Sequence, residues 1–272
     1  MGQEINARHS LADDPNIVSR VKNFVPDDTA GRFIHEYMEA NRSGHRHSGV
    51  DRTVGDASFA DLFGLNIALE SGKSSKDMGA DALAELQKGP PPDSALKEGD
   101  IIFQADSGGQ GLAIQLATKS PLTHCGVLFK EDGKWMVYEA VQPVKVTPLE
   151  TFAINGDDGS YVVRRLKDAD KALTDEALDK MRDYLKSNIG KNYDALFGWG
   201  DDRIYCSELV WKAYHEATGL DVGTPKKMGD YDMTNPEVLR QVEERWGLKL
   251  PLDELMITPA GVYESNLLET VR

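Results

Sequence analysis

The sequence predicts an α+β protein in which mixed or antiparallel strands are flanked by helices. Three observations carry that expectation. Two short apolar runs, Thr123 to Phe129 and Trp135 to Val141, are joined by Glu131-Asp132-Gly133-Lys134, and Asp-Gly is a strong signal for a two-residue hairpin turn. Further short strand patterns stand on either side of that hairpin. Two capped helical stretches then follow along the chain.

Taken in order, Ile17, Val21, Phe24 and Val25 repeat at helical spacing, as do Phe33, Ile34, Tyr37 and Met38. Residues 41–58 read as loop, and a second apolar stretch runs from Phe59 to Leu69. Lys88-Gly89-Pro90-Pro91-Pro92-Asp93 is the clearest internal boundary, because consecutive prolines supply no backbone donors and favour an extended linker. Residues 1–93 are therefore expected to form a mostly helical extension, and residues 94–272 the main domain. Gly99 introduces a short strand at Asp100-Ile101-Ile102-Phe103, and Tyr161 to Leu166 is another. Thr174 reads as the N-cap of a helix whose first turn carries Asp175 and Glu176, both suited to its dipole. Leu178, Met181, Leu185 and Ile189 make its apolar face, and Gly190 ends it. A second helix starts near Cys206 and runs to Thr218, with Gly219 as its stop.

Composition narrows the function classes. The formal charge is −14, from 31 Lys plus Arg against 45 Asp plus Glu. Such a surface repels phosphate backbones, and no local basic patch offsets it, so a nucleic-acid partner is not expected. No apolar run reaches the ~20 residues of a membrane span. Met1 to Asn6 lacks the apolar core of a signal peptide, which predicts a protein cytoplasmic when made and leaves a signal-independent export route open. The two cysteines, Cys125 and Cys206, are not needed as a staple in a chain this long.

The hairpin fixes a geometry. With Asp132 and Gly133 at the turn, Glu131 pairs with Lys134, Leu128 with Val137, and Gly126 with Glu139. His124 and Glu139 then share one face as diagonal neighbours, within reach of a long carboxylate and an imidazole, and Gly126 leaves room between them. Such a pair can be the base and orienter of a nucleophilic triad, although on the hairpin alone a structural hydrogen bond is the favoured reading. Cys125 falls on the opposite face with Val127 and Phe129, as a core residue that should not touch the chemistry. Cys206 opens a helix, where free amides and the dipole favour a thiolate. Cys206, Leu209, Val210, Ala213 and Tyr214 also form one apolar stripe, so a buried core cysteine is the other reading.

Several motifs in a fixed order resemble one family. Gly99 to Phe103, then Ser120-Pro121-Leu122-Thr123-His124-Cys125-Gly126-Val127, then Tyr138-Glu139-Ala140, resemble the YiiX/YebB-like NlpC-type hydrolases. So do Tyr193-Asp194-Ala195-Leu196-Phe197, Tyr205-Cys206-Ser207-Glu208-Leu209-Val210 and the tail from Ile257 to Val271. The similarity spans about residues 94–272. It implies a circularly permuted papain-like fold with an antiparallel sheet flanked by helices. By the same resemblance Cys206 is the nucleophile, His124 the base and Glu139 the orienter of a cysteine peptidase or amidase. It implies no cofactor and no metal, and a bacterial cell-wall peptide or muropeptide as the expected substrate. A lipid hydrolase or acyltransferase using the same thioester, and a non-catalytic binding module, are the alternatives. Tyr193, Tyr205 and Trp199 are candidates to line the substrate groove, with core packing as the other reading. Residues 1–93 are left for a delivery or immunity partner. His45, His47 and Asp51 lack metal-ligand spacing. His9, His35 and His215 are read as ordinary surface or helix-face residues, and Asp194 and Glu208 as residues that orient backbone or cap helices. Gly108-Gly109-Gln110-Gly111 is read as a loop before a helix.

Overall fold

A computed structural model describes residues 78–107, 110–233, 235–246 and 251–272. The helical stripes expected upstream, the loop at 41–58, and His9, His35, His45, His47 and Asp51 lie outside the described residues. The main helices are α1 (Met78–Gln87), α2 (Gln110–Thr118), α3 (Leu149–Asn155), α4 (Asp175–Asn188), α5 (Cys206–Thr218), α6 (Pro236–Trp246) and α7 (Pro259–Tyr263). The principal sheet is built from β1 (Ile101–Gln104), β2 (His124–Glu131), β3 (Lys134–Glu139), β4 (Lys145–Pro148), β5 (Tyr161–Leu166) and β6 (Leu268–Thr270). Its spatial order is β6-β5-β1-β2-β3-β4, and each neighbouring pair is antiparallel.

The hairpin of β2 and β3 has the register that its turn chemistry dictates. Glu131 pairs with Lys134, Leu128 with Val137, and Gly126 with Glu139. Asp132 and Gly133 both take positive φ, 49° and 79°, the backbone of a tight turn that matches strand twist. At Gly126 the two strands come too close for a side chain. An added Cβ would lie 2.5 Å from Val137 Cγ1 and 2.7 Å from the Tyr138 carbonyl oxygen.

Alternation divides the sheet into two faces. Ile101, Phe103, Cys125, Val127, Phe129, Tyr138 and Val162 join the larger core, with residues of α1, α4 and α5 packed on it. Ile102, Leu128, Val137 and Val163 form a second core under α3, with Leu149 and Phe152. In α1, Ala82 and Leu86 are buried in the larger core, so this helix is part of the folded body although it precedes the prolines. Met181 and Leu185 of α4 are fully buried, and Thr174 caps the helix by accepting from the Ala177 amide at 3.2 Å. Ile189 departs from the expected stripe. The helix ends at Asn188, so Ile189 leaves the helical phase and stands 46% exposed.

Helix α5 is pinned at both ends. Near its C-terminal end the Tyr214 hydroxyl donates to the Gly99 carbonyl beside β1, and Gly219 stops the helix at φ 70°. At its start the Tyr205 amide donates to Glu208 Oε2 at 3.3 Å, and Ser207 Oγ donates to the Ile257 carbonyl at 2.9 Å. Glu208 is also paired with Lys212 at 2.9 Å. These contacts fix the first turn of α5 and fasten it to the segment at Ile257.

Candidate active site

His124 begins β2 and Glu139 ends β3, so the hairpin register alone brings them together. His124 Nε2 lies 2.6 Å from Glu139 Oε2, and Glu139 is only 2% exposed. Phe152 stacks on the imidazole at 5.6 Å between ring centroids and covers one face of it. The second oxygen of Glu139 accepts from the hydroxyl of Thr147, on β4. With Nε2 held by the carboxylate, Nδ1 is the ring nitrogen left to meet the thiol.

Cys206 comes to this pair from the other layer, as the first residue of α5. Its thiol is hydrogen-bonded by the Cys125 thiol, by His124 and by the Cys125 backbone N–H. The Cys125 hydrogen bond is the largest influence holding the Cys206 thiol well below its ordinary range. Burial opposes this, and His124 adds a hydrogen bond and a positive charge. His124 moves the other way. Burial works against its charge, but hydrogen bonds and charge from Cys206 and Glu139 push it up to about 10. Burial is the largest single influence on Glu139 and works against its charge, but the hydrogen bonds from His124 and Thr147 and the positive charges of His124 and Lys145 together outweigh it, so Glu139 is lowered from its ordinary value. Both directions favour a thiolate facing an imidazolium.

Cys125 corrects one expectation. It is fully buried on the face opposite Glu139, as the register requires, yet it is not remote from the chemistry. Burial, then its hydrogen bond to Cys206, raise its own thiol well above the ordinary value, so it acts as a proton donor. The parity of a strand places a side chain on a face. It does not say which helix end will meet that face.

Among the candidate groove residues, Tyr193 is within electrostatic reach of Cys206. Its phenol is raised first by burial and next by the Cys206 charge, and it accepts a hydrogen bond from Gln110 Nε2 at 3.4 Å. Tyr205 does not line a groove. It is 1% exposed, its hydroxyl accepts from the Ile257 amide at 3.1 Å, and its ring packs edge-on to Phe197. Trp199 is also spoken for. It packs on Trp211 at 5.1 Å, beneath the Lys212 ammonium, with its amide donating to Glu254 at 3.2 Å. Asp194 braces the intervening turn as expected, accepting from the amides of Leu196 and Gly198 at 2.9 Å each. His215 is an ordinary helix-face residue, stacked on Trp211 and paired with Asp221 at 2.8 Å. Sequence reasoning did not single out Thr147. A β-branched hydroxyl opposite the hairpin was the one available signal for Thr147.

A cysteine at a helix start, an imidazole and a buried carboxylate on an antiparallel sheet are the arrangement a papain-like cysteine hydrolase would need. The chain belongs, over residues 95–272, to the family of permuted papain-like amidase enzymes of the YaeF/YiiX, C92 type. It is 43% identical over 173 residues to the uncharacterized protein YiiX of Escherichia coli strain K12, covering 64% of this chain and 84% of that protein. It is also similar to the crystal structure titled metalloprotein yiiX from Escherichia coli O157:H7, DUF1105. There the TM-score is 0.61 at 43% identity, covering 65% of this chain and 96% of the other.

Proposed function

We propose that this amidase cleaves an amide bond in bacterial cell-wall peptides by way of Cys206, His124 and Glu139. The observation that carries the reading is the contact of the Cys206 thiol with an imidazole whose other nitrogen is held by Glu139. The Cys206 thiolate attacks the carbonyl carbon, and free amides in the first turn of α5 receive the negative charge that develops on oxygen. The His124 imidazolium gives its proton to the leaving amine as the tetrahedral adduct collapses to a thioester. Neutral His124 then takes a proton from water, the hydroxide releases the acid, and the proton returns the pair to its starting charge. Glu139, itself held by Thr147, keeps the ring oriented and supports its charge throughout.

The relative from Escherichia coli O157:H7 is titled a metalloprotein, which raises the question of an ion here. Among the described residues no group of three or more His, Cys, Asp or Glu side chains is arranged to hold one. His124 is committed to Glu139 and Cys206, so these residues do not fit a metal centre and no step is routed through one. Residues 1–93 serve as an extension that contributes no catalytic group.

The deciding experiment is product analysis by mass spectrometry on purified cell-wall peptides and on phospholipids, with Cys206→Ala as control. Amide-cleavage products that vanish in Cys206→Ala are expected. Products from phospholipid alone would move the reading to a lipid hydrolase on the same fold, and Cys206-independent products would remove the triad.

A further inference from the structure

Two thiols in contact at one site can do more than share a proton. Cys125 reaches the Cys206 thiol twice, with its own thiol and with its backbone N–H. The strand explains the second contact. Leu128 donates its amide to the Asp100 carbonyl, on the β1 side of β2, at 2.8 Å. Alternation then turns the Cys125 amide toward β3, and β3 stops at Glu139, opposite Gly126. The amide is left outside the ladder. Cys206 meets it as the first residue of α5, a helix that packs on β2. One residue can offer both groups to a single sulfur only when the two backbones stand close, which a disulfide also requires. Both cysteines are free, and both belong to the larger core. Cys206 is 3% exposed and Cys125 is fully buried, so an oxidant entering the site meets Cys206 first.

We propose that Cys206 and Cys125 are a redox pair, in which hydrogen peroxide oxidises Cys206 and Cys125 then closes a disulfide that reversibly switches the site off. In the first step the Cys206 sulfur attacks one peroxide oxygen and the O–O bond breaks. The departing hydroxide takes the His124 proton and leaves as water, and Cys206 is now a sulfenic acid. The Cys125 sulfur then attacks the Cys206 sulfur. Its proton leaves with the sulfenic hydroxyl as a second water, and an S–S bond replaces the S–O bond. The thiol pair is oxidised by the two electrons that reduce the peroxide. Forming the sulfenic acid also removes a negative charge that, after burial and the hydrogen bond, raises the Cys125 thiol. The resolving sulfur therefore becomes easier to deprotonate when it is needed. Without a neighbouring sulfur, further oxidation reaches sulfinic acid, which thiols do not reverse. The competing explanation is that Cys125 only donates a hydrogen bond to the thiolate and never bonds to it.

The test uses the full chain and needs no substrate. Reduced protein is treated with a small excess of hydrogen peroxide at neutral pH and quenched with catalase. It is then denatured, alkylated with iodoacetamide and mapped by peptide mass. A linked pair of peptides carrying Cys125 and Cys206 is expected, with alkylation of both lost and then restored by dithiothreitol. In Cys125→Ala no such link can form, and Cys206 should advance to a sulfinic acid that dithiothreitol does not restore. In Cys206→Ala the same treatment should leave Cys125 free, and its oxidation there overturns the order of the two steps. If a variant does not fold, the unaltered protein decides. Sulfinic acid on Cys206 with Cys125 still free overturns the proposal, as does a Cys206 that peroxide leaves untouched. Because oxidation requires no turnover, a protein that forms the link yet cleaves no amide would refute the amidase reading and leave the redox pair standing.

Discussion

Cys206 and Cys125 are chemically opposite although they touch. One thiol is lowered by the other's hydrogen bond and by an imidazolium, and its donor is raised by burial and by giving that bond. Brief iodoacetamide treatment at neutral pH should therefore modify Cys206 and leave Cys125 intact, as read by peptide mass mapping; preferential labelling of Cys125 would overturn the assignment. Cys125→Ala removes the largest influence on the Cys206 thiol, so the pH at which labelling reaches half its maximum should rise in that variant. The pH profile of turnover follows from the same pair. The thiolate is favoured by its low range and the imidazolium by its value of about 10. Activity should thus fall on the acid side as Cys206 takes a proton and on the alkaline side as His124 loses one, with a broad plateau spanning neutral pH. Glu139→Gln removes a charge that supports the imidazolium. The alkaline limb should move to lower pH and kcat/KM should fall by roughly 10- to 100-fold. A Glu139→Gln profile superimposable on the original would remove Glu139 from the site.

At the scale of elements, the hairpin was legible because two independent signals agreed: an Asp-Gly turn and a period-2 apolar pattern that tolerates one register only. That register gave the contact of His124 with Glu139 before any tertiary information was needed. Thr147 was not legible, since it acts from β4 and nothing local ties Lys145–Pro148 to the hairpin. Tyr205 was misplaced for a related reason. An aromatic residue next to a nucleophile can face either a groove or the core, and the choice was made by the Ile257 amide, far along the chain. The hairpin itself is open to a direct test. Gly126→Ala sets a methyl 2.5 Å from Val137 Cγ1 and 2.7 Å from a backbone oxygen. It should cost about 1–3 kcal/mol of stability by overpacking, seen as a lower Tm. It should also depress turnover beyond the loss of folded protein, because Glu139 Cβ is only 3.4 Å from the same point.

For the whole molecule, the question is where the hydrolase body begins. The family match opens at residue 95, yet α1 at 78–87 buries Ala82 and Leu86 in the larger core. Among the described residues no helix is long and apolar enough to cross a membrane, so this apolar stripe is accounted for by packing. A chain shortened to start at Ser94 would uncover that patch of core. It should melt lower than the full chain by roughly the 2–5 kcal/mol of lost large-side-chain burial, measured by denaturant unfolding. A shortened chain as stable as the full one would show that α1 is dispensable to the body. Substitution of His9, His35, His45 or His47 should leave turnover of the full chain unchanged, in keeping with an extension that supplies no catalytic group.

The antiparallel hairpin that joins His124 to Glu139 also bears on how the chain matures. Its partners are close neighbours in sequence, and hairpins of this kind close within about 1–10 microseconds. The thiol that will use them arrives from far downstream, on a helix that must first pack on β2 and fasten its first turn to Ile257. A newly made or partly unfolded chain therefore owns a base without a nucleophile, and its Cys206 keeps the sluggish reactivity of an ordinary thiol. Until that helix docks, the hairpin by itself has no Cys206 thiol to activate.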